Sequence, residues 1–264
     1  MCLLIVLTRL QPAFPLVIGA NRDERYERPA TPICVLRQSN PRVLGGRDEL
    51  AGGTWLAVND AGVFAGVTNS PTSAGRDPTK CSRGELPLLL AEHRSAASAV
   101  DHFLESVDPS DYNPLWILVG DRQSLFSIDM ADGHSLHSKS LPPGLYVLEN
   151  RPLGAPSPKV GRVRELLGDV RSLSVEKIET RLEEVLRDHE MPIAPVVPND
   201  EPVRPAQVGA ACVHTERYGT RWSAIVKVPA APEDLPRFRY TDDAPCRSAY
   251  RDATSLLSVS SKLE

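Results

Sequence analysis

The sequence predicts an α+β fold built as a four-layer αββα sandwich, and three observations carry that prediction. Strand-like and helix-like segments come in blocks, in the order strands, helix pair, strands, helix pair, strands. Consecutive strands are joined by hairpin residues, as at Asn59-Asp60-Ala61-Gly62, Gly120-Asp121 and Asp132-Gly133, and hairpins make antiparallel sheets. Such sheets stack face to face and leave their outer faces for helices. The third is size: 264 residues, 41% of them hydrophobic, are enough to fill that core. Residues 1–254 are read as one domain and 255–264 as a mobile tail.

Residues 2–9 form a nearly continuous apolar strand, and Gln11-Pro12-Ala13 turns into a second at 14–21, giving a hairpin with a buried face. A short strand at 33–36 precedes a glycine-rich loop, from Gly45-Gly46 to Gly52-Gly53, and then strands at 54–58 and 63–68 follow. Ser82-Arg83-Gly84-Glu85 has the spacing of a capping box, with Ser82 at the N-cap of a leucine-rich helix. A second helix covers 96–107, and a meander follows at 115–119, 125–130, 134–141 and 144–148. After Pro158 a helix runs to about Leu167, and Val175, Ile178, Leu182, Val185 and Leu186 make the apolar stripe of another. Five prolines in 191–205 mark a long surface connection. Beyond it lies a final strand pair, 211–214 and 222–228, around Tyr218-Gly219-Thr220, and the serine-rich tail from Asp252 is expected to be mobile.

Composition excludes several function classes. With 34 acidic and 30 basic residues spread along the chain and a net charge of -4, no basic surface is set aside for nucleic acid. Five cysteines, at 2, 34, 81, 212 and 246, form neither a disulfide framework nor a C-x-x-C zinc pattern, which points to a reducing cytoplasm. The six histidines are scattered, and His134-x-x-His137 lacks a third ligand nearby, so no metal site is expected. No signal peptide is evident, residues 3–7 are too short to span a bilayer, and the terminal Glu264 spoils a Ser-Lys-Leu peroxisomal address. Phosphate-loop, dinucleotide and serine-elbow motifs are missing from the sequence.

Chemistry concentrates at the start of the chain. If processing removes Met1, Cys2 carries both a thiol and a free α-amine, and an amine titrating near pKa ~7.7–8.0 can act as general base for its own side chain. The alternative is that Met1 stays and the thiol is a small buried hydrophobe. Asn21-Arg22-Asp23-Glu24 ends the strand expected to pair with that of Cys2. There an arginine would favour thiolate and an aspartate would hold the amine. A solvated strand end with its own ion pair accounts for the same residues, and Arg47-Asp48-Glu49 repeats the triplet elsewhere.

The Met-Cys start, Asn21-Arg22-Asp23-Glu24, Gly45-Gly46-Arg47-Asp48, Gly52-Gly53-Thr54-Trp55-Leu56, Val67-Thr68-Asn69 and Tyr218-Gly219-Thr220-Arg221 together resemble the NRDE family, also called the transport and Golgi organisation 2 family. That family is similar to N-terminal nucleophile (Ntn) hydrolases of the choloylglycine hydrolase and penicillin V acylase type, which implies the same αββα fold. The resemblance implies Cys2 as nucleophile, Asp23 at its amine, Arg22 as the neighbouring arginine, Asn69 and Asn150 around the reacting carbonyl, and Arg221 as a late active-site arginine. Asparagine NH₂ groups can face a developing oxyanion, although asparagine also ends strands simply because it tolerates turns, and Arg221 can serve as a turn residue. The expected function is amide hydrolysis on small acylated substrates, with no cofactor required. The alternative is a non-catalytic haem or lipid binding and trafficking protein, since family members are linked to haem trafficking, lipid homeostasis and Golgi organisation. An interaction scaffold is a third reading, resting on the proline-rich segment alone. The partner expected is a small acyl-amide or hydrophobic ligand, without nucleic acid and without membrane insertion.

Overall fold

A computed structural model describes residues 2–71, 75–191 and 209–258, which contain thirteen strands and four α-helices. The strands form two antiparallel sheets. In the first, β1 (Cys2–Thr8) lies between β10 (Gly144–Leu148) and β2 (Leu16–Arg25), and β2 pairs on its other side with β11 (Tyr218–Val228), followed by β12 (Arg237–Thr241) and β13 (Arg251–Asp252). The second is a meander in chain order: β3 (Ala30–Arg37), β4 (Val43–Asp48), β5 (Leu56–Asn59), β6 (Phe64–Asn69), β7 (Leu115–Gly120), β8 (Leu125–Asp129) and β9 (His137–Ser140).

Alternation along β1 shows how the layers arise. Leu4 and Val6 enter the core between the sheets with Leu44, Leu56 and Phe64 of the second sheet. Leu3, Ile5 and Leu7 face the other way, onto Val163 of α3 (Pro158–Leu167) and Ile178 and Leu182 of α4 (Val175–Leu186). An unbroken apolar run is thus the signature of a strand covered on both faces. On the far side, Leu88 and Ala91 of α1 (Glu85–Ala91) pack on Leu36, Val43 and Ala57, and α2 (Ala96–Ser106) lies beside them. The order of layers is helix, sheet, sheet, helix, as the sequence predicts. Glu179 locks α4 to the first sheet by pairing with Lys227 and Arg239. No helix among the described residues is long and apolar enough to cross a membrane.

Several local expectations are corrected. Gly45-Gly46 lies inside β4 rather than in a loop: an added Cβ at Gly46 would fall 2.2 Å from the Trp55 ring, so the glycines let a strand approach its neighbours. The capping box does not form, because α1 starts at Glu85 with Gly84 at its N-cap and no side-chain cap. Tertiary contact takes that segment instead: Gly84 O accepts from Thr54 N at 2.9 Å, and a Cβ on Gly53 would meet Gly84 at 2.4 Å. Residues 211–214 are not a strand, since Val213 spends both backbone groups on Thr220, accepting from Thr220 N and donating to Thr220 Oγ1 at 2.8 Å each. The stretch after Asp252, read as tail, continues in regular structure. Residues 254–257 form a 3-10 turn whose Leu257 is fully buried, and β12, missed in the sequence, places Phe238 in the core. Most of the proline-rich connection and residues 259–264 lie outside the described residues.

Candidate active site

The strand ladder dictates where the chemistry points. Cys2 lies directly opposite Arg22, and Arg22 lies opposite Trp222 of β11. Directly paired residues share a face, so Cys2 and Arg22 both look into the space between the sheets. Asn21 and Asp23 look toward the layer of α3 and α4: Asn21 Nδ2 donates to the carbonyls of Leu186 and Ala211 at 2.9 Å each.

A cavity of about 650 Å³ opens over Cys2. Its floor is Trp55, which meets Trp222 edge-on at 5.3 Å between centroids, and the Arg22 guanidinium sits 4.2 Å above the Trp55 ring. One wall is an ion-pair cluster. Asp48 Oδ2 accepts from Arg22 at 3.1 Å and from Arg28 Nε at 2.6 Å, and Glu24 lies 3.9 Å and 3.8 Å from the same two arginines. Burial opposes the Asp48 charge, yet the hydrogen bond and charge of Arg28 hold its carboxyl below the usual carboxylate range. The other wall carries Arg83, which donates to the Pro114 carbonyl at 3.2 Å and makes no ion pair among the described residues. Burial, with Arg76 beside it, pushes Arg83 down to about 10.

Burial raises the Cys2 thiol above its ordinary value, and the Arg22 charge works in the opposite direction. Asp23 is buried, its carboxyl pushed up by that burial and pulled back by Lys159. Thr220 Oγ1 donates to Asp23 Oδ1 at 2.6 Å, and the Tyr218 hydroxyl donates to the Asp23 carbonyl at 2.8 Å.

Of the six residues expected at the site, Cys2, Arg22 and Asn69 line the cavity, and Asp23 borders it from β2 while its side chain looks to the other face. Asn150 and Arg221 stand behind the cavity. Asn150 is buried, and its Nδ2 donates to the Asn69 carbonyl at 2.5 Å, so it braces the strand end that presents Asn69. Arg221 is the extra residue where the β2–β11 register shifts, and its guanidinium donates to the carbonyls of Arg25 and Arg28. Sequence reasoning missed Arg28, Arg83 and Thr220 and discounted Asp48. The repeated Arg-Asp-Glu triplet was a signal for Asp48, because a strand end holding the same charges can face its counterpart across the sheets.

Comparison with known proteins agrees with the fold. The conjugated bile acid hydrolase of Clostridium perfringens, solved as a mutant, superposes with a TM-score of 0.55 at 12% identity over 98% of this chain and 94% of that one. A Caenorhabditis elegans ortholog of N-acylethanolamine-hydrolyzing acid amidase superposes at 0.53 with 14% identity over 89% and 98%. At these identities the likeness shows a shared Ntn-hydrolase-like fold and no more. In sequence, the mouse Transport and Golgi organization 2 homolog is 29% identical over 245 residues, and the human homolog 27% over 245, each covering 83% of both chains. The profile of the family described as Transport and Golgi organisation 2 matches residues 1–233, and the chain belongs to that family.

Proposed function

We propose that the chain is an N-terminal cysteine amidohydrolase that cleaves amide bonds in small acylated substrates. The observation that supports this best is Cys2 at the start of β1, in register with Arg22 and open to a cavity that Asn69 also lines and Asp23 borders. With Met1 removed, the Cys2 α-amine takes the thiol proton as sulfur attacks the acyl carbon, while Asp23 holds the resulting ammonium. The Asn69 side-chain NH₂ faces the oxyanion, with Asn150 fixing the backbone that carries it. Collapse of the intermediate breaks the C–N bond, the ammonium returns its proton to the leaving amine, and a thioester remains on Cys2. Water then attacks the thioester with the amine again as base, and the free acid departs. Arg22, pinned by Asp48 and Trp55, keeps a positive charge near the sulfur.

Two further points support this reading. Proteins named as a hydrolase of conjugated bile acids and an amidase of N-acylethanolamines share the fold, and the free cysteines suit work in the cytoplasm. A haem or lipid carrier has less in its favour: five arginines line the cavity, and no histidine among the described residues does.

The test is to incubate the mature protein with a mixed acyl-amide library and seek an acyl adduct on Cys2 by mass spectrometry. The adduct and turnover are both expected to vanish in Cys2→Ala. Fully active protein that retains methionine at its N-terminus would overturn the mechanism, and a saturable Soret shift at equimolar haem in an inactive protein would favour the carrier.

A further inference from the structure

Four residues scattered between positions 189 and 246 converge on the side of β2 away from the cavity. They are His189, just beyond α4, Cys212 and His214 in the irregular stretch before β11, and Cys246 in the turn after β12. We propose that they form a structural zinc site of the Cys₂His₂ type.

Geometry carries the proposal. One donor atom from each residue lies within 4.8 Å of all the others. Cys212 Sγ and Cys246 Sγ are 3.7 Å apart, and His214 Nε2 lies 3.8 Å and 3.2 Å from them. A tetrahedral zinc ion with Zn–S of about 2.3 Å and Zn–N of about 2.0 Å sets its ligands about 3.8 Å (S to S) and about 3.5 Å (S to N) apart. The three distances among Cys212, Cys246 and His214 therefore match the edges of a zinc tetrahedron, and the His189 donor lies within 4.8 Å of each of them.

The outer nitrogens of both imidazoles are held as well. His189 Nδ1 lies 3.0 Å from the Cys212 carbonyl, which fixes its proton on Nδ1 and leaves Nε2 to the metal. His214 Nδ1 lies 3.4 Å from the Tyr26 hydroxyl while Nε2 faces the two sulfurs. A chance cluster on a surface has no reason to orient both rings from behind.

The donor set names the metal. Two thiolates and two imidazoles suit zinc, and four protein ligands close the coordination sphere, the mark of a structural site. Binding releases the two thiol protons to solvent and involves no redox change. The thiolate charges then balance Zn²⁺ and leave no net charge beside the buried Cys212. The sequence concealed the site because its only local trace is Cys212-x-His214.

The ion would staple the end of α4, the stretch before β11 and the turn after β12 to one point. That stretch includes Val213, whose backbone seats Thr220 against Asp23. The inference is independent of what Cys2 does.

The test uses the full chain purified without chelator. Elemental analysis is expected to give about one zinc per chain. Stripped, reduced protein titrated with Co²⁺ is expected to develop a thiolate-to-cobalt charge-transfer band and tetrahedral visible bands that saturate at about one equivalent. Cys212→Ser, Cys246→Ser and His189→Ala should each lose the band, whereas Cys34→Ser and Cys81→Ser keep it. Folded wild-type protein that carries no zinc and shows no charge-transfer band with Co²⁺ overturns the proposal, and this arm needs no variant to fold. Recovery of Cys212 and Cys246 as a disulfide from protein handled anaerobically overturns it too.

Discussion

The two faces of β2 near its end are made from alternate residues of one tetrapeptide, and they are built on different principles. On the face between the sheets, Arg22 and Glu24 stand among formal charges, with Arg28 and Asp48 across the gap and an open cavity beside them. On the opposite face, Asn21 is held by two backbone carbonyls, and Asp23 accepts from the hydroxyl of Thr220. Charges tolerate the open face because water and counter-charges solvate them, while the closed face relies on directional hydrogen bonds to place its groups. A strand whose neighbours point in opposite directions can thus carry reactive groups on one side and their support on the other.

The largest expected effect breaks the comparison on the open face alone. Cys2→Ala should reduce kcat/KM by on the order of 10³-fold or more and leave the thermal midpoint where it was, read by parallel kinetics and calorimetry. Asn69→Ala comes next, with a fall in kcat of about 10²–10³-fold if its NH₂ faces the oxyanion. An Asn69→Ala enzyme with unchanged kcat would remove that residue from the mechanism and leave its bond with Asn150 as scaffolding. Thr220→Val tests the closed face. It strands Val213 N and removes the Thr220 hydrogen bond from the Asp23 carboxyl, so unfolding free energy should drop by about 1–3 kcal/mol, and any fall in kcat should come with that loss of stability.

The layers were legible in the sequence because their signals are local. The unbroken run from Leu3 to Leu7 marks a strand buried on both faces, and the stripe from Val175 to Leu186 marks α4. What the sequence hid depends on distant backbone. Gly84 read as part of a capping box because nothing nearby shows that Gly53 must lie against it. β12 was missed because the core side of Arg237–Thr241 is set chiefly by Phe238. At the site, Cys2 could be named from its place after Met1, Arg22 and Asp23 from the strand end expected beside it, and Asn69 from the family resemblance. Asn150 and Arg221 could be named but not placed, since only the fold shows that one spends its amide on Asn69 and the other its guanidinium on the β2–β3 turn. Arg28 and Asp48 needed the stacking of two sheets to become partners.

The smallest effect separates the two faces by the sign of their response to acid. Asp48 is held below the usual carboxylate range by Arg28 despite its burial, so its ion pairs stabilise the fold above the unfolded value of about 3.9 and are lost as pH falls below it. Asp23 is pushed up by burial, so the folded state takes up its proton first, and this group makes the protein more stable as pH falls through the raised value. Denaturant unfolding followed from pH 7 to pH 3 should therefore show Asp48→Asn losing stability at neutral pH, by no more than about 1 kcal/mol because the cluster borders solvent, and converging with wild type in acid. Asp23→Asn should do the reverse, standing at or above wild type at neutral pH because it lacks the buried charge, and meeting wild type in acid as the wild-type carboxyl protonates. Variants displaced to the same side of wild type at neutral pH would mean that the faces share one electrostatic environment, and the division of β2 into an open charged side and a closed hydrogen-bonded side would fail.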